Sequence, residues 1–69
     1  MLTRKQLDRI KNDLIKCREC LLTMIDTPDK RKTVAEKSGQ SLPYITDFYA
    51  GRKKLSDRMI VNILDKVVE

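Results

Sequence analysis

The stretch TVAEKSGQSLPYITDFYAGRKKLS, residues 33–56, decides the fold. It holds both glycines of the chain, Gly39 and Gly51, and each sits where a helix has to stop. Gly39 suits the position just past a helix end, because the left-handed backbone needed there costs glycine little. Two residues on, Ser41 is an N-cap. Leu42 and Pro43 fill the first turn behind it, where the missing proline N–H does little harm. Ile45, Phe48 and Tyr49 then make a buried stripe at helical spacing. Gly51 ends that helix and the loop Arg52-Lys53-Lys54 follows. Two short helices, Pro28 to Ser38 and Leu42 to Ala50, joined by a tight turn containing glycine, describe a helix-turn-helix.

Working outward, Ser56 caps a last helix with Asp57 in its first turn. Ile60, Ile63, Leu64 and Val67 form its apolar face, and Leu55 is placed to staple onto Ile60. Upstream, Thr27 caps the first motif helix, with Pro28 at its first position and Asp29 at the positive end of its dipole. Val34 and Ala35 face inward. Before that, Leu7, Ile10, Leu14, Cys17, Leu21 and Met24 fall at alternating steps of three and four, one stripe of a helix running from about Thr3 to Ile25. Thr3 and Gln6 complete a capping-box pattern, and Pro28 forces an end near Ile25. No segment alternates with period two, so no strand is expected. The fold class is all-α: one domain over residues 1–69, a compact bundle of four or five short helices with a central helix-turn-helix.

Composition narrows the function. Fifteen Lys and Arg against ten Asp and Glu leave a net charge of +5 on 69 residues, which suits a polyanionic partner. Apolar residues make up 41% of the chain, enough for one core of this size. There is no membrane-spanning run and no apolar signal core in MLTRKQLDRI, so a cytoplasmic protein is expected. The first helix is basic and amphipathic, but Asp8, Asp13, Glu19 and Asp26 and the lack of an anchoring aromatic favour packing over membrane binding. An enzyme is not expected: the chain has no His, and so short a bundle has little room for a pocket. No cofactor, metal or small-molecule substrate is expected either. Cys17 and Cys20 lack the second ligand pair of a zinc site and the βαβ context of a redox motif. They read as ordinary helix residues, Cys17 in the stripe and Cys20 beside it.

With Ala35 at the close approach of the two motif helices and Ile45 and Phe48 anchoring the second from below, Leu42, Pro43, Tyr44, Thr46 and Asp47 are left on its outer face or leading end. Tyr49 is expected at the core with its hydroxyl at the edge, Tyr44 on the outside. Basic residues flank the pair: Lys30, Arg31 and Lys32 before it, Arg52, Lys53 and Lys54 after it. Phosphates run along both edges of a major groove, so cations bracketing a reading helix are the arrangement that groove requires. Asp47 reads either as a plain surface charge or as a cytosine reader, since a carboxylate in the groove is repelled by phosphate unless it finds a donor.

These residues resemble the helix-turn-helix of the Cro and lambda-type phage repressor family, also called XRE-like. The pattern is Ala35, Gly39, Ser41, Ile45, Phe48 and Gly51, then a basic loop and a Ser-capped helix, over about half the chain from Lys32 to roughly Leu64. The resemblance implies base contacts from Leu42, Pro43 and Tyr44 and, one turn on, from Asp47. It implies phosphate contacts from Arg31, Lys32, Arg52, Lys53 and Lys54, with Ser41 and Ser56 as further candidates. It also implies a transcription regulator of phage or mobile-element origin in a bacterial host cell. The partner is then double-stranded DNA, read by a homodimer on a near-palindromic operator. Two dimer surfaces are open: the long N-terminal stripe, or the C-terminal helix where Val67 and Val68 cannot both face one core. The alternative function is a protein-interaction adaptor or anti-repressor on the same fold.

Overall fold

The structure, a computed structural model, describes residues 2–68. It contains five helices: α1 (Arg4–Ile10), α2 (Leu14–Met24), α3 (Pro28–Ser38), α4 (Leu42–Tyr49) and α5 (Asp57–Val67). Among the described residues there is no strand, and no helix is long and apolar enough to cross a membrane.

Each helix begins on a side chain that accepts the N–H three residues on. Thr3, Thr27, Ser41 and Ser56 do so as expected, and Thr3 with Gln6 closes the full capping box. The fifth cap is Asp13, which accepts from the Lys16 N–H at 3.1 Å. It marks the one departure in element layout, because the single helix expected over Thr3 to Ile25 is two. Asn12 and Asp13 carry short polar side chains that compete with the helical backbone and favour caps. The Ile10 carbonyl, freed at the break, accepts both the Asp13 N–H at 2.8 Å and the Cys17 thiol at 3.2 Å. The N-terminal stripe is therefore not a continuous seam. Leu7, Cys17 and Leu21 are fully buried within the chain, Ile10 and Met24 are half-buried, and Leu14 is 43% exposed.

The core gathers Leu2, Leu7, Cys17, Leu21, Ile25, Val34, Ala35, Ile45, Phe48, Leu55, Ile60, Ile63, Leu64 and Val67. α5 supplies four of these residues and packs against α1, α2 and α3. Leu55 and Ile60, the expected staple, both belong to this core. Val67 is buried and Val68 half-buried, so neither stands free. Every buried side-chain nitrogen and oxygen among the described residues has a partner. Among the described residues Ser38 is the buried polar one, and its hydroxyl donates to the Val34 carbonyl at 2.7 Å. Ion pairs tie the ends together: Asp65 of α5 meets Arg4 at 2.8 Å and Lys11 at 3.4 Å. Arg18 of α2 reaches Asp57 at 3.2 Å and the Leu55 carbonyl at 3.2 Å.

Candidate nucleic-acid interface

α3 and α4 pack directly on each other. The chain turns between them at Gly39, whose φ is +72°. Gly39 donates to the Glu36 carbonyl and Gln40 to the Ala35 carbonyl, at 3.4 and 3.1 Å. That pair of bonds is a Schellman closure, which satisfies helix-end carbonyls through one left-handed residue. α4 ends by the same device. Gly51 has φ +83° and donates to the Phe48 carbonyl at 3.2 Å. Arg52 donates to the Asp47 carbonyl at 2.9 Å, and Lys53 adds a second bond to that carbonyl at 3.1 Å. The basic loop is thus folded back along α4.

α4 buries Ile45 and Phe48 and so fixes the rest of its surface. At roughly 100° per residue, Pro43, Thr46, Asp47 and Ala50 fall on the side opposite the buried pair. Leu42 and Tyr49 lie on one flank of that strip and Tyr44 on the other. Leu42 is 43% exposed at the leading end. Pro43 is exposed, while Thr46 and Asp47 are half-buried.

Each flank holds a cation over an aromatic ring. The Arg31 guanidinium lies 4.7 Å from the Tyr49 ring centre, and the Lys53 ammonium 4.8 Å from that of Tyr44. The expected placement of the two tyrosines is corrected here. Tyr49 is 42% exposed and Tyr44 is half-buried against the core. Tyr49 lies beyond the edge of the Ile45–Phe48 stripe, with the Arg31 guanidinium over its ring.

The sequence-marked cations divide into held and loose. Arg31 is half-buried and also donates to the Ile25 carbonyl at 2.9 Å, which pins it across the α2–α3 junction. Lys30 pairs with Asp26 at 3.1 Å and lines a groove that no residue of α4 enters. Arg52 pairs with Asp47, with both Nε and Nη2 3.0 Å from Oδ1. Lys53, exposed and without an ion pair, rests on the Tyr44 ring, and Lys32 and Lys54 are exposed and make no ion pair among the described residues. Ser41 and Ser56 are exposed, and each hydroxyl is engaged as a helix cap, to Tyr44 and Met59 at 3.2 Å. Sequence reasoning missed the pairings of Arg31 with Tyr49, Lys53 with Tyr44, Lys30 with Asp26 and Arg52 with Asp47. The Asp47–Arg52 pairing had a legible signal, since a Schellman closure brings together the side chains three before and two after the pre-glycine position.

Elsewhere, Leu2, Ile10, Cys20, Met24 and Val34 floor a groove of about 910 Å³ between α1, α2 and α3. Ile15, nearby on α2, is 73% exposed. Both cysteines are free thiols, and burial pushes both up from the ordinary thiol range. No protein family, curated protein or solved structure matches this chain.

Proposed function

We propose that this chain is a sequence-specific DNA-binding regulator of transcription, of the Cro and lambda-type repressor kind. It presents α4 to the major groove and acts as a homodimer on a near-palindromic operator. One observation carries the reading. The strip of α4 that begins at Pro43 is flanked on both sides by a cation seated on a tyrosine, Arg31 on Tyr49 and Lys53 on Tyr44, and Lys32 and Lys54 are exposed cations on the neighbouring helix and loop. A helix end of this width fits the major groove, and cations on either side meet the two phosphate walls. Leu42 and Pro43 offer apolar surface, which suits thymine methyl groups. A single module of this size buries little surface, hence the two half-sites about one helical turn apart.

The groove between α1, α2 and α3 and the exposed Ile15 favour a second reading, a protein-interaction adaptor. Salt separates the two. A DNA regulator that holds several phosphates loses several powers of ten in affinity over a modest rise in salt, and does so on a defined site. Selection of bound sites from a random DNA pool, followed by titration of the winning site at several salt concentrations, tests the proposal. Enrichment of no sequence, with weak and sequence-blind binding, would leave the adaptor.

A further inference from the structure

We infer that Arg52 is a guanine reader, held in register by Asp47, rather than a third phosphate clamp in the basic loop. The inference rests on the DNA-binding reading above. Its ground is the way the second Schellman closure is built. Asp47 occupies the position whose carbonyl accepts the Arg52 N–H, so the two side chains leave the backbone next to each other on the same side. In most such closures that contact is apolar. Here it is an ion pair, with Arg52 64% exposed and Asp47 45% exposed. An exposed pair of this kind adds little stability, so its effect lies in orientation.

The orientation is specific. Asp47 Oδ1 takes Nε and Nη2 together, approaching the guanidinium from its side. Nη1 and the outward N–H of Nη2 are left as a planar fork pointing away from the carboxylate. That fork matches the O6 and N7 acceptors that guanine presents in the major groove. The guanidinium is not left extended from the loop. It is folded onto Asp47, which lies on the strip of α4 opposite the buried Ile45 and Phe48. The neighbouring carboxylate offsets its charge, which weakens its pull on phosphate but leaves bidentate hydrogen bonding intact. The same pairing gives Asp47 the donor that a carboxylate needs to sit in the groove. Its second oxygen stays available to an exocyclic amino group on the adjoining base pair. The loop cations then have different tasks: Arg52 reads, while Lys53 and Lys54 hold phosphate.

The test compares the wild type with Arg52→Gln and Asp47→Asn in selection from a random pool, then in titrations on the selected duplex. Far-UV circular dichroism confirms that each variant is folded. Wild type should enrich a guanine at one position of the site. Replacing that base with 7-deazaguanine, which lacks the N7 acceptor, should weaken wild type about ten-fold. Arg52→Gln removes the charge and the guanidinium fork, and an amide matches adenine rather than guanine. It should lose that enrichment, be indifferent to 7-deazaguanine, and leave the salt slope nearly unchanged, because Arg52 is not a phosphate contact. Asp47→Asn should blunt the same preference with Arg52 intact, which a purely structural role for Asp47 would not do. The inference is overturned if Arg52→Gln selects the same guanine, or if its loss of affinity is equal on all sequences, since a phosphate contact alone would behave so. A wild type that enriches a site without an Arg52-dependent guanine removes only this inference. A wild type that enriches nothing removes the DNA-binding reading with it.

Discussion

The two turns that bound α4 use the same backbone and serve different ends. At Gly39 the residue whose carbonyl closes the motif is Ala35, 4% exposed, and its small side chain lets α3 and α4 approach. At Gly51 the equivalent residue is Asp47, whose carboxylate meets Arg52 at the surface. Neither glycine is packed tightly, since a Cβ built on either would meet nothing within 4 Å. The left-handed φ is the shared requirement. The side chain three residues before the cap then decides whether the turn joins two helices or displays a charged group. A local backbone motif is in this sense neutral toward function, and its flanking residues assign it.

That contrast can be broken most visibly at the lysines. Lys53→Ala with Lys54→Ala, beside the second turn, should weaken binding to all DNA sequences roughly ten-fold or more and lower the salt slope by about two. Lys37→Ala, in the last turn of α3 before Gly39, should leave the slope alone. Equal effects at the two turns, read by fluorescence anisotropy across salt, would erase the functional distinction between them.

Stability should separate the same turns in the opposite sense. Ala35→Leu forces extra volume between α3 and α4 and should cost about 1–3 kcal/mol. Asp47→Leu, on the surface, should stay within about 0.5 kcal/mol. Urea denaturation of both variants checks this, and a large loss at Asp47 would make its turn structural too. Gly39→Ala and Gly51→Ala sharpen the claim that the backbone is shared. With open space around each, the cost is that of the left-handed conformation alone, about 1–2 kcal/mol at both sites. A clear inequality between them would expose a packing role at one turn.

The smallest effect belongs to the ion pair between Arg4 and Asp65, which is part of neither turn. The hydrogen bond from Arg4, with Lys11 beside it, holds the Asp65 carboxyl below the ordinary carboxylate range. Because the folded value is depressed, the contribution is present above the unfolded carboxylate value of about 3.9 and is lost as pH falls below it. Asp65→Asn should cost no more than about 0.5 kcal/mol at neutral pH, as exposed pairs do. It should also flatten the acid limb of a stability–pH curve. An unchanged acid limb would mean that Asp65 is equally free to ionise in the folded and unfolded chain.

What the sequence revealed was local. Thr3, Thr27, Ser41 and Ser56 could be read as caps because capping involves one side chain and an N–H three residues away. Gly39 and Gly51 could be read because a left-handed residue has few substitutes. The break at Asp13 was hidden by its own periodicity. Ile10, Leu14 and Cys17 keep the three–four spacing straight across it, so the stripe looks continuous although the helix is not. Tyr49 was misplaced because stripe width says nothing of a guanidinium arriving from α3. The Asp47–Arg52 pair depends on a closure geometry that spacing implies but hydrophobicity does not register.

Cys17 gives the chain a native gauge of its own opening. Its thiol is fully buried, bonded to the Ile10 carbonyl at the α1–α2 break, and pushed up in pKa by burial first and then by Asp13 and Asp57. A maleimide or iodoacetamide molecule therefore reaches it only when the helices part, and the labelling rate reads the open fraction directly. Cys20, half-buried on the floor of the groove, should label sooner, so one reagent distinguishes breathing of that groove from unfolding of the whole bundle. Added DNA should then slow labelling of Cys17 by favouring the closed form, with no dye or tag introduced into the protein.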